Sequence, residues 1–287
     1  MANLTQEQLE FYQENGYLIL PEAFNADEVR RMQQEADHIL ELIINASLAN
    51  DRRSGRLDIR ETTPGQHLVR KIQPINDLSL YLAQVSADER LIGPLRQIMG
   101  DEPILMEEKL NYKEPLAVPV KGIEVPQAND GFPVHSDWAY YKAQNYPQTI
   151  LSSAICIDPC TEDSGPLHIW PGTHLEDLEH ERMENGLQVL PHLVDFNGGI
   201  DVLAPAGSVL IFSSLLIHNS RPNSSGRPRR LMIYSHYPEQ AQMGFDVRNG
   251  PTRLRESPYE WEYQRMKEEG SYRDQFQKTH SIHPTRS

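Results

Sequence analysis

The chain has little cysteine: only Cys156 and Cys160 occur in 287 residues. Two thiols are too few for a disulfide framework, and a structural zinc site would need further ligands beside them. Free, buried thiols in a reducing cytosol are expected. Also absent is any apolar run long enough to span a bilayer. Residues 1–13 have no basic stretch leading into an apolar one, so they do not read as a secretory signal. Positive charge is in deficit, with 27 Lys and Arg against 41 Asp and Glu and a net charge of −14. A field of that sign repels phosphate backbones, which argues against a nucleic-acid partner. No internal repeat or low-complexity tract is found. What is present, 38 % hydrophobic and 24 % charged residues, is the make-up of an ordinary soluble globular protein. The expectation is a cytoplasmic enzyme or binding protein that handles a small molecule, with no membrane contact.

Local signals divide the chain into a helical first third and a strand-rich remainder. Thr5 with Gln8 three residues on makes a capping box for a first helix, and Gly16 is a natural stop. Residues 17–20 read as a short strand. Asn25 and Glu28 open a second helix, whose stripe Val29, Met32, Ala36, Ile39, Leu40 and Ile43 keeps the 3.6-residue period. A third helix is expected over about 86–99, with Glu89 completing its cap and Gly100 ending it. The polar stretch 50–66, carrying Arg52, Arg53, Arg56 and Arg60, reads as a mobile surface loop. The alternative is a lid that brings cations to an acidic substrate. From residue 104 onward, apolar runs at 104–112, 150–157, 167–170, 209–212 with 215–217, and 231–237 are separated by Gly, Pro, Asn and Asp clusters. That is the pattern of an antiparallel sandwich or jelly roll, and the helices a parallel sheet needs are missing. A last helix is expected after Ser257, with Pro258 at its first position and Glu260 at its third.

The informative tripeptide is His135-Ser136-Asp137. Residues i and i+2 of a strand share a face, so an imidazole and a carboxylate would project side by side, about 7 Å apart at the backbone. Alone this is a common chance match. His218 supplies the missing third ligand, because it closes an apolar run at the mouth of a strand. Two histidines and one carboxylate leave three open coordination positions, the arrangement of non-haem Fe(II) oxygenases. Beyond His218 lies the turn 220–228 and then Arg229. If the flanking strands pair as a hairpin, Arg229 lies near His218 and can pair a carboxylate bidentately.

With these residues in place the chain resembles the phytanoyl-CoA dioxygenase family of Fe(II)/2-oxoglutarate-dependent oxygenases, over about residues 9–237. The matching pieces are Phe11-Tyr12 with Gly16-Tyr17, His135 through Trp138, Asp158 through Leu167, Trp170 through His174, and His218 through Arg229 with its spacing. The resemblance implies a mainly β fold with flanking helices, a double-stranded β-helix (jelly roll, cupin-like). The expected layout is a single domain over 1–287: helices over about 1–100 packed on a jelly-roll core over about 101–238, then an extension over 239–287. It implies that His135, Asp137 and His218 bind iron, and that Arg229 binds the far carboxylate of 2-oxoglutarate. Lys109, Asn111 and Trp138 resemble cosubstrate-contacting positions. Tyr140, His168 and Trp170 are substrate-side candidates, and the aromatics among them hint at an apolar ligand. His174 reads as part of a structural turn. Fe(II), 2-oxoglutarate and O₂ would be the cofactors, and hydroxylation of a small organic metabolite the reaction. Relatives that halogenate carry a small residue where Asp137 stands, so its carboxylate favours hydroxylation. The competing readings are a non-redox, metal-dependent hydrolase or isomerase on the same barrel, and a barrel that binds metal or ligand without turnover.

Overall fold

The computed structural model describes residues 3–116, 123, 125–127, 131–241 and 259–278. In chain order the elements are α1 (Gln6–Asn15), β1 (Tyr17–Leu20), α2 (Ala26–Ala49), β2 (Leu57–Thr63), β3 (Gln66–Ile72), α3 (Leu80–Val85), α4 (Glu89–Met99) and β4 (Pro103–Pro115). There follow α5 (Trp138–Tyr141), β5 (Leu151–Cys156), β6 (Leu167–Ile169), β7 (His180–Met183), β8 (Gly186–Val189) and β9 (Ile200–Asp201). The described part closes with β10 (Val209–Ser213), β11 (His218–Ser220), β12 (Leu231–Pro238) and α6 (Tyr259–Glu268).

Both capping boxes form as expected, at Thr5 with Gln8 and at Asn25 with Glu28. Gly16 takes the left-handed conformation that ends α1, and a Cβ there would run into the ring of His174. This gives His174 the structural role expected of it. The third expected helix is α4, ended by Gly100 as expected; it starts at Glu89 under an Asp88 cap, and a short α3 capped by Ser79, which was not expected, precedes it. Asp88 Oδ1 accepts from the Arg90 amide at 2.9 Å, so the helix is capped a few residues later than expected. The C-terminal helix is present, but its expected caps, Ser257 and Pro258, lie outside the described residues.

The strands form a seven-stranded antiparallel sheet in the order β1-β10-β5-β12-β4-β3-β2 and a three-stranded sheet in the order β11-β6-β9. Alternation explains the layering. In β10, Val209 and Ile211 face the helices and join Met32, Ile39 and Ile43 in the larger core. Leu210 and Phe212 face inward and pack with Leu167, Leu216 and Ile233 between the two sheets. Burial on both faces is why this strand reads as an unbroken apolar run.

The stretch 50–66 is not a mobile loop. It supplies β2, which pairs with β3, and β3 pairs with β4 at the edge of the large sheet. Arg56 is buried and forks onto Asp77 at 2.8 and 2.6 Å. A short period-two pattern thick with charge hid this hairpin, because its inward side chains are polar.

His236 sits beside the β12 bulge and is 1 % exposed. Burial holds its pKa down to about 4. The folded state therefore refuses a proton that the unfolded chain takes up below about 6.5. Its contribution is complete above that pH and declines as pH falls toward 4. His236→Leu should remove about 2 kcal/mol of the stability lost between pH 7 and pH 5, read from denaturant midpoints at the two pH values.

Candidate active site

The histidines are brought together by the backbone. His135 and His218 exchange both main-chain hydrogen bonds, His135 N to His218 O at 2.9 Å and His218 N to His135 O at 2.8 Å. Their rings lie 4.5 Å apart, centroid to centroid. The 135–137 segment is not the continuous strand expected from the i, i+2 spacing. It is one bridge followed by a turn, with Asp137 immediately before α5, and the turn swings the carboxylate toward the imidazoles. His135 Nε2 lies 3.9 Å from Asp137 Oδ1. One ligating atom from each of His135, Asp137 and His218 falls within 4.8 Å of the others, the one such trio among the described residues.

The donor set fits a divalent cation. His135 Nδ1–H donates to Pro133 O at 2.8 Å and His218 Nδ1–H to Leu216 O at 3.0 Å. These bonds fix the tautomer that leaves each Nε2 lone pair facing the gap. Burial, then the neighbouring His218, lower the His135 pKa to about 3, so the ring is neutral and able to ligate. Burial opposes ionisation of Asp137, but Lys109, His218 and His135 outweigh it and hold its pKa below the usual carboxylate range.

The trio opens into a cavity of about 440 Å³. Lys109 and Asn111 of β4 line it, as the sequence suggested. Lys109 Nζ pairs with Glu107 at 3.0 Å, and Asn111 Oδ1 has no hydrogen-bond partner among the described residues. Tyr140 lines the cavity, packs edge-on to His135 at 5.6 Å, and accepts from Leu187 N at 2.8 Å.

Three other candidates are not brought to the cavity. Trp138 packs with Met106, Tyr141, Tyr146, Ile150 and Tyr237 in a satellite core, because the helical turn after Asp137 rotates it away. His168 is saturated, Nδ1 with Asp201 at 2.7 Å and Nε2 with Gly198 O at 2.8 Å. Trp170 is buried among Val134, Val189, Val194 and Ile217, its indole donating to Asp195 O at 2.8 Å. The apolar ligand hinted at by these aromatics thus loses its support: much of the wall is charged.

Arg229 is placed differently from expectation. β11 pairs with β6, and β12 with β4 and β5, so no hairpin joins His218 to Arg229: His218 opens β11 of the small sheet, and Arg229 leads into β12 of the large one. Arg229 lies two residues before β12, close to Cys156 and Cys160 in the core that also holds Leu231 and Ile233, and Ile233 reaches the cavity surface. Arg229 itself is 1 % exposed and lies deeper. Several contributors were missed. His180 on β7 accepts from the Ser136 amide at 3.1 Å and so steadies the link between two ligands. Asn185 and Gly186, at the tip of the β7–β8 hairpin, close one side of the cavity. Nothing in their local sequence pointed to the metal.

The phytanoyl-CoA dioxygenase family model matches residues 12–231, most of the chain and every candidate ligand. The chain belongs to the phytanoyl-CoA dioxygenase family. Its members are Fe(II)/2-oxoglutarate-dependent dioxygenases, so ferrous iron, 2-oxoglutarate and O₂ are the cofactors to be accommodated. Among curated relatives, the ectoine dioxygenase of Halomonas elongata is 28 % identical over 244 residues, spanning 79 % of this chain and 68 % of that one. Among solved structures, EctD from S. alaskensis with 2-oxoglutarate and 5-hydroxyectoine bound has a TM-score of 0.62 at 24 % identity, covering 84 % of this chain and 78 % of that one. The 2-oxoglutarate-dependent epimerase SnoN has a TM-score of 0.63 at 15 % identity, covering 88 % and 90 %. These structural likenesses bear on the fold, which is the jelly roll of the family. Among the described residues no helix is long and apolar enough to cross a membrane.

Proposed function

We propose that this dioxygenase hydroxylates a C–H bond of a small organic metabolite while 2-oxoglutarate is decarboxylated to succinate. The observation that carries the reading is the convergence of His135, Asp137 and His218 within 4.8 Å at the wall of a cavity large enough for two small molecules. Ferrous iron with 2-oxoglutarate and O₂ supplies the oxidising power; the protein contributes geometry and a partly enclosed site.

Each protein group then has a definable task. The two Nδ1–H bonds to backbone carbonyls hold both Nε2 atoms on target before any ion arrives. Lys109 keeps Asp137 ionised and, with Asn111, offers donors to the cosubstrate. Arg229 is the proposed partner of its distal carboxylate, supported by its burial beside Cys156 and Cys160 of the core between the sheets and by the family spacing from His218. Holding both ends of the cosubstrate fixes its orientation, a proximity contribution rather than a chemical one. The two thiols, 3.6 Å apart and unbonded, suit the reducing cytoplasm.

The reading is tested under ¹⁸O₂: a substrate found by screening should gain one labelled oxygen, with one labelled in succinate. Product formation without label incorporation would exclude it. Arg229→Ala should raise the half-saturating 2-oxoglutarate concentration at least tenfold, read from initial rates of succinate release, with a smaller effect on the maximal rate.

A further inference from the structure

The β2–β3 hairpin presents cations to the metal cavity from the edge of the large sheet. Asp58 and Arg60 of β2 line it, as do Arg70, Lys71 and Gln73 on the β3 side. Their exposure to one space follows from a register fault. Asp58 opposes Lys71, whereas Ile59 opposes Val69, so Arg70 is an extra residue between them. Bulges of this kind re-aim side chains, and here two consecutive cations border one cavity. Arg70 is held flat by the ring of Phe132, its guanidinium carbon 3.9 Å from the ring centre.

Lys71 is the telling residue. Its Nζ lies 3.4 Å from the amide oxygen of Gln73, and no carboxylate of the described residues is within ion-pair distance of it. The nearby acids are committed elsewhere. Glu107 takes Lys109 at 3.0 Å, Tyr141 Oη at 2.8 Å and Gln73 Nε2 at 3.1 Å. Asp58 takes Arg60 at 3.0 Å and lies 3.8 Å from Arg70. Burial, then the Lys109 ammonium, lower the Lys71 pKa. A half-buried ammonium in that position gains from an incoming anion.

Inward-pointing charge can also serve to protect a sheet edge from pairing with another chain. That explains Arg60 on the edge strand β2. It does not explain Lys71, because β3 is paired on both sides. Nor does the cosubstrate account for the cluster if Arg229 holds its distal carboxylate. β3 lies two strands from β12, about 10 Å at the usual strand spacing.

We propose that Lys71, flanked by Arg60 and Arg70, binds an anionic group of the oxidised substrate, which is therefore a small acid carrying a carboxylate or a phosphonate. This rests on the oxygenase reading for the word substrate, but anion binding can be measured without turnover. Propionate, ethylphosphonate and the neutral propionamide serve as probes. Their NMR line broadening by metal-free protein is compared for the parent, Lys71→Met, and a surface control, Lys142→Met. Either or both acids should bind the parent and the control, with propionamide at least tenfold weaker. Lys71→Met should weaken acid binding at least tenfold, and the preferred acid identifies carboxylate or phosphonate as the natural group. Equal binding of acid and amide, no acid binding by the parent, or undiminished binding by Lys71→Met would overturn the proposal. So would a tenfold rise in the 2-oxoglutarate requirement of Lys71→Met, since the cation would then hold the cosubstrate. Absence of succinate formation by the iron-loaded parent would instead count against the oxygenase reading and leave the anion site standing.

Discussion

His218→Ala should lower 2-oxoglutarate turnover by at least a thousandfold, and His135→Ala should do the same. Each loss removes one of three ligands from a site whose remaining atoms cannot hold the ion in the same geometry. The two substitutions are not equivalent to a general loss of fold. Both residues sit at the cavity wall, and the main-chain bonds they exchange survive truncation of the side chain. Thermal midpoints of the metal-free variants should therefore stay close to the parent's, while iron content after anaerobic loading and dialysis falls. Near-normal succinate release by either variant in excess Fe(II) would remove the residue from the ligand set.

The second large effect is on stability. Arg230, 2 % exposed, directs Nε and Nη2 onto Asp158 at 2.7 and 2.8 Å, and its backbone amide onto the same carboxylate at 2.8 Å. Its Nη1 donates to Asp37 at 2.5 Å, which ties β12 to α2. Burial works against the guanidinium, but Asp158 and Asp37 more than offset it and raise its pKa. Arg230→Met leaves Asp158, 5 % exposed, without its bidentate partner. Breaking a buried pair from one side costs about 3–5 kcal/mol, which for a chain of this length corresponds to a fall in Tm of roughly 10 °C. Arg230→Met with Asp158→Leu should recover part of the loss, because no orphaned carboxylate remains. A single variant that melts within about 2 °C of the parent would show that the network contributes little.

Arg229 and Arg230 illustrate what local sequence can and cannot convey. They are neighbours just before β12 with different fates: Arg230 reaches Asp158 and, on α2, Asp37, whereas Arg229 lies beside Cys156 and Cys160 of the core between the sheets. Spacing from His218 singled out Arg229, but the assumed hairpin was wrong: a jelly roll sends consecutive strands to different sheets. The ligands were legible because their chemistry is concentrated in His135, Asp137 and His218 and their spacing is distinctive. The large apolar runs were legible because burial on both faces leaves only hydrophobic residues. The β2–β3 hairpin was not, since its inward face is made of Asp58, Arg60, Lys71 and Gln73, which looks like a solvated loop. Trp138 was misplaced for a related reason. It follows a ligand directly, but a single helical turn at residue 138 points it into a satellite core instead of the cavity. Contacts made across the fold, such as His180 under Ser136, leave no local mark.

The central claim is that one divalent ion is held jointly by His135, Asp137 and His218. Anomalous diffraction from crystals loaded anaerobically with Fe(II) addresses it most directly. A single strong iron peak should lie between His135 Nε2, the Asp137 carboxylate and His218 Nε2, with its open side toward Lys109 and Asn111. An iron peak held by other residues, or none at these three in fully loaded crystals, would contradict the account.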